Sequence, residues 1–207
     1  FHDTYFVVAH FHYTFVPIAV IGFFMGFTFW FPKMYGKMLD ETLGKVHFWI
    51  TIVGFNTIFI PLFFTGLWGD HRRIYNYAHF SDLSKLELVH DLRVAATIGL
   101  LIMISGQLVF LANLIKSFMT KQPNPGPNPW NSNTLEWTTP SPPGHGNWAE
   151  LPKVYRGPYE YSIAGRESDF WPQNEPPKDS DSGASAAITA TKAANDQNSA
   201  DSAKKAA

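Results

Sequence analysis

The chain has no cysteine among its 207 residues, which excludes disulfides, thiolate-bound zinc, iron–sulfur clusters and covalent c-type haem attachment. Histidine ligation of haem or copper stays open, and the eight histidines become the residues to explain. An excess of charge of either sign is also lacking: 16 Lys and Arg stand against 17 Asp and Glu. That balance offers no basic face to a phosphate backbone, so no nucleic-acid partner is expected. Long apolar runs are lacking after Lys121, where Pro, Asn, Ser and Ala take over. The mean hydropathy of -0.10 therefore averages two physically different stretches. The start lacks a methionine, a basic flank and a small-residue cleavage site, and Phe1 leads almost directly into apolar sequence. No signal peptide is expected, and the chain reads as a fragment, a processed chain or a split gene product.

What is present before Lys121 is three runs long enough to cross a bilayer, whose ~30 Å core takes about 20 helical residues at ~1.5 Å each. Residues 5–31 contain no acid, Lys or Arg, only His10 and His12; residues 46–68 contain none after His47, and residues 94–115 none at all. Backbone polar groups in lipid must be satisfied within the segment, so all three are helices. The predicted fold class is all-α, a fragment of an integral membrane helical bundle. Three transmembrane helices occupy residues 1–121, a Pro-rich extended tail residues 122–177, and a disordered low-complexity tail residues 178–207. Pro32 is expected to end the first span. Pro17 and Pro61 should free the carbonyls of Tyr13 and Thr57, with a kink just after the histidines. Gly22 and Gly26 offer a small-residue face for close helix contact. Lys and Arg stand in both loops, so charge alone leaves the orientation open.

Ionisable residues inside a membrane are costly and usually functional. His10 and His12 are two apart, hence about 200° apart around a helix and ~3 Å apart along it. Opposite faces rule out an easy shared metal and suit two cofactors, one on each side of the helix. The alternative is that both imidazoles are neutral packing residues bonded to neighbouring helices.

The run His2-Asp3-Thr4-Tyr5-Phe6-Val7-Val8-Ala9-His10-Phe11-His12-Tyr13 resembles the tenth-helix motif of subunit I of the haem-copper terminal oxidases, the cytochrome c oxidase subunit I family. The resemblance continues in order through Trp30-Phe31-Pro32, Lys45-Val46-His47-Phe48, Gly66-Leu67-Trp68-Gly69 and Arg72-Arg73-Ile74-Tyr75. Asn128-Pro129-Trp130, Asn133-Thr134-Leu135-Glu136-Trp137 and Tyr155-Arg156-Gly157-Pro158 are similar to tails of bacterial members. It implies that His10 is the proximal ligand of the high-spin haem where oxygen reacts, and His12 an axial ligand of the low-spin haem. His2 and Asp3 match the family's magnesium pair, and Arg72 and Arg73 the pair that holds haem propionates. The implied cofactors are two haems of a-type, copper held outside this chain, and magnesium.

The same resemblance implies a multi-pass protein of the bacterial inner (plasma) membrane with a cytoplasmic C-terminal tail. Its partners would be the N-terminal part of subunit I, the electron-delivering subunit II, subunit III, cytochrome c and membrane lipid. Within that assembly the reaction is reduction of dioxygen to water coupled to proton pumping. A quinol-fed oxidase, a non-redox structural or assembly subunit, and a transporter with a histidine gate are the other classes. The second and third spans are too apolar for the last. Asp70-His71 depart from the common family pattern, and Asp70 is expected to compete with a propionate for the arginines or to store a proton. His47, His71, His79, His90 and His145 read as structural or interfacial.

Overall fold

A computed structural model describes residues 1–77, 83–160 and 169–176. The first span is three pieces: α1 (Tyr5–Val16), a π-helical turn (Pro17–Ile21) and α2 (Gly22–Tyr35). Two longer helices follow, α3 (Glu41–Leu67) and α4 (Leu86–Met119). No strand occurs among the described residues, which hold one isolated bridge, Thr4 to His71. Tyr5–Tyr35, Glu41–Leu67 and Leu86–Met119 are each long and apolar enough to cross a membrane. The chain is thus an all-α membrane protein with three spanning helices. The helices outrun the apolar stretches because their outer turns can be polar. Asp40 caps α3, accepting the Leu43 N–H at 2.9 Å.

The three prolines behave differently. Pro17 has no N–H to offer Tyr13, and the helix passes the gap by widening into a π turn. The α ladder resumes at Gly22, whose N–H reaches the carbonyls of Ala19 and Pro17. Pro32 does not end the first span as predicted. It lies in the last turn, where one lost hydrogen bond is tolerable, and Gly36 ends the helix with a left-handed backbone, φ 61°, its N–H on the Pro32 carbonyl at 2.8 Å. α3 runs unbroken through Pro61, where buried Ile58, Phe59 and Leu62 pin both sides of the proline to neighbouring helices.

α3 lies between α1 and α4. Lipid tails are as apolar as leucine, so close packing rather than escape from water joins these helices, and glycines stand where they cross. A Cβ on Gly54 would lie 2.6 Å from the Met103 nitrogen, one on Gly99 2.7 Å from the Ile58 nitrogen, and one on Gly66 2.0 Å from the Phe6 nitrogen. The predicted glycine face is not among these contacts. Around Gly22 and Gly26 only atoms of their own span, Pro17 and Trp30, come close, because α2 approaches α3 and α4 through rings. Phe24 meets Phe110 at 4.8 Å, and Phe31 meets Phe118 at 5.8 Å.

At one end of the bundle Lys37 donates to the Ser117 and Phe118 carbonyls at 3.2 and 3.0 Å, satisfying the C-terminal turn of α4. Asp40 meets Lys116 at 2.6 Å, and that hydrogen bond, with the Leu43 N–H, holds its carboxyl below the usual range.

The described residues from Pro125 onward form a second compact unit. In place of a simple extended run, its described part contains a 3-10 turn, Leu135–Thr138, and buried Trp137 and Trp171. Arg156 donates to the Pro172 and Glu175 carbonyls at 2.5 and 2.6 Å and stacks on Trp171. Asn133 accepts the Trp171 N–H at 2.6 Å. The prolines preclude long helices, and side-chain bonds to backbone replace them. The low-complexity tail predicted for residues 178–207 lies outside the described residues.

Candidate functional site

The first five residues lie against the end of α3. Tyr5 N–H donates to the Asp70 carbonyl and Arg72 N–H to the Asp3 carbonyl, both at 2.9 Å. Gly66 makes this possible, since any side chain there would strike the Phe6 backbone. His2, Asp3, Arg72 and Arg73, 69 or more positions apart in pairs, therefore share one end of the bundle.

Asp3 Oδ1 accepts from Arg72 Nε and Nη2 at 3.0 and 2.7 Å. Its Oδ2 lies 3.2 Å from His2 Nε2. The Arg72 hydrogen bond first, and the nearby His2 second, hold the Asp3 carboxyl below the usual carboxylate range. A carboxylate oxygen beside an imidazole nitrogen fits a partly hydrated hard cation. Among the described residues no group of three His or acidic side chains could complete a metal site, so further donors would be water or another chain. Arg73 is exposed and has a left-handed backbone, φ 63°, which costs an L residue on the order of 1 kcal/mol.

His10 and His12 diverge on α1, as their spacing requires. His12 is half-buried against α3, its ring stacked on Phe59 at 4.3 Å. Its Nδ1 lies 2.7 Å from the Val8 carbonyl. A carbonyl can only accept, so Nδ1 carries a proton, and in the neutral imidazole the lone pair that a metal would take is on Nε2. His10 is exposed on the other side and makes no hydrogen bond among the described residues. An imidazole nitrogen could thus hold a cofactor metal on either side of α1, His12 on the side of α3 and His10 on the other. Tyr13, next in the motif, donates to Asn56 of α3 at 2.7 Å, which fixes α1 beside the pair.

Asp70 does not reach for Arg72 or Arg73 as expected. Its carboxylate is buried and bound by Arg93 of α4, through Nε on Oδ2 at 3.1 Å and Nη2 on Oδ1. Nothing in the local sequence singles out Arg93, which stands just before the third apolar run. Asp70 and Arg93 are 23 residues apart, and nothing in their local patterns links them. Of the remaining histidines, His47 is buried between Phe24 and Phe110, His71, His90 and His145 are exposed, and His79 lies outside the described residues.

Residues 1–102 match the family model for cytochrome c and quinol oxidase polypeptide I. The chain is 45% identical over 179 residues to the alternative cytochrome c oxidase subunit 1 of Bradyrhizobium diazoefficiens, covering 84% of this chain and 29% of that protein. Cytochrome c oxidase subunit 1 of Thermostichus vulcanus is 44% identical over 166 residues, covering 80% and 28%. Quinol oxidase subunit 1 of Bacillus subtilis is 36% identical over 177 residues, covering 84% and 26%. The chain thus spans under a third of the length of these relatives. An all-α bundle of three spans, a divergent histidine pair on the first of them and these matches give one answer: the chain belongs to the subunit I family of the haem-copper cytochrome c and quinol oxidases.

Proposed function

We propose that this chain is the C-terminal portion of the catalytic subunit of a respiratory cytochrome c oxidase, working within an assembly that reduces dioxygen to water and pumps protons. The observation that carries the reading is the divergence of His10 and His12, with the Val8 carbonyl fixing the His12 tautomer. His10 serves the high-spin haem as its catalytic ligand, and His12 the low-spin haem. Arg72 and Arg73 hold propionates, for which a planar guanidinium is suited. His2 and Asp3 contribute to a magnesium site. When bound, two a-type haems, with copper held by the rest of the assembly, supply the electron transfer and the oxygen chemistry. The chain's own contribution is to orient two imidazoles on opposite faces of one rigid helix and to present fixed positive charge at its end.

The partners are the N-terminal part of subunit I, subunit II, subunit III, cytochrome c and the lipid of a bacterial inner membrane. The tail after Lys116 lies on the cytoplasmic side. A quinol-fed oxidase is the second reading, favoured by the likeness to the B. subtilis quinol oxidase subunit; electron donation by purified cytochrome c against a quinol separates the two.

The test uses His10→Ala and His12→Ala in the assembled complex. Both should abolish turnover. His10→Ala should damage the haem that binds carbon monoxide, whereas His12→Ala should remove the six-coordinate low-spin signal and leave carbon monoxide binding. If the two variants lose the same spectral component, or neither loses any, the two-haem reading fails and both histidines are packing residues.

A further inference from the structure

Arg93 bonds both ends of the segment that carries the arginine pair. At the start it grips Asp70 through two nitrogens, and at the finish its Nη1 donates to the Tyr77 carbonyl at 2.6 Å while its guanidinium lies 5.4 Å from the Tyr77 ring. The Asp70 side chain is 2% exposed and that of Arg93 10%. Asp70 is held by its backbone as well, its N–H on the Thr65 carbonyl at 3.0 Å and its carbonyl accepting from Tyr5. Between these anchors stand Arg72, partnered by Asp3, and Arg73 with its left-handed backbone. A left-handed non-glycine residue persists only where its surroundings over-determine it. A buried ion pair is a poor way to gain stability, since two well-packed apolar residues do as well. Its use here is therefore positional.

We infer that Arg93 positions Arg72 and Arg73 for their anionic ligand by holding the Asp70 carboxylate, which it keeps from competing for them. Arg93 acts through the arginine pair and is a positioning residue. The inference rests on the reading that Arg72 and Arg73 hold the propionates of the low-spin haem. A carboxylate freed at position 70 would turn to the cations two and three positions along, and the haem would lose positive charge that favours its reduced form.

The test is a redox titration of the low-spin haem in the assembled complex. Arg93→Gln should lower its reduced-to-oxidised ratio at fixed potential at least threefold, about 30 mV for one electron, as should Arg72→Gln and Arg73→Gln. Asp70→Asn combined with Arg93→Gln should recover most of that loss, because the competing charge is gone. If Arg93→Gln fails to assemble and the double variant assembles with a near-native potential, this role of Arg93 is equally supported. An unchanged potential in Arg93→Gln, a double variant no better than the single, or failure of both to assemble would overturn it. Unchanged potentials in Arg72→Gln and Arg73→Gln would instead overturn the propionate reading beneath it.

Discussion

His10, His12, Asp3 and Arg72 differ in how much of their role is set by near neighbours. The helical repeat alone sends His10 and His12 to opposite faces, and a carbonyl one turn back fixes the His12 tautomer. Such features are legible from sequence. Asp3 is different, because its principal partner is 69 residues away. With its pKa lowered by Arg72 and then His2, Asp3 is ionised, and its pair with Arg72 intact, above the ordinary carboxylate value of about 3.9. The pair is lost only as pH falls through the lowered value. The infrared carboxylate band assigned by difference to Asp3→Asn should therefore stay constant from neutral pH down to about pH 4. Protonation of Asp3 at or above that value would mean that the Arg72 contact is not made. Asp70 shows the limit of local reading, since neighbouring arginines suggested competition where a distant Arg93 holds the charge.

At the scale of the helix, length and polarity placed all three spans, while their breaks and contacts depended on neighbours. Three prolines had the same local chemistry and three outcomes. Pro17 has the helix interior on both sides and forces a π turn; Pro32 sits within one turn of a glycine that ends the helix; Pro61 lies within an unbroken helix, with buried residues on both sides of it. Glycines divide in the same way. Gly54→Ala should destabilise the α3–α4 pair by about 1–3 kcal/mol, because its new Cβ meets Met103 backbone. Gly22→Ala, with nothing nearer than 3.7 Å, should be tolerated. Thermal loss of the haem spectrum in the assembled complex measures both. Equal sensitivity of the two variants would contradict this placement of the helix crossings.

Over the whole molecule, the expected topology has the tail on the cytoplasmic side, so trypsin added outside sealed right-side-out vesicles should leave it intact. Cleavage of the tail there would reverse the orientation. Truncation from Lys178 should leave haem content and turnover unchanged, since Ile188 is the one large apolar residue in that stretch and it holds no histidine. Truncation from Asp169 should not be silent. It removes the Trp171 ring and the Pro172 and Glu175 carbonyls that hold Arg156, and trypsin applied to inside-out vesicles should then cut at Arg156 faster than in the full chain. Equal cutting rates would show that these contacts do not hold the second unit together. Three spans, the all-α class and the opposed histidines are legible in the residues alone, because hydrophobic length and helical period act over one or a few turns. Which glycines meet a neighbouring backbone, the folding of the tail around Arg156 and the capture of Asp70 by Arg93 are settled by packing. Each of those depends on which distant atoms a packed chain brings within hydrogen-bonding or van der Waals reach.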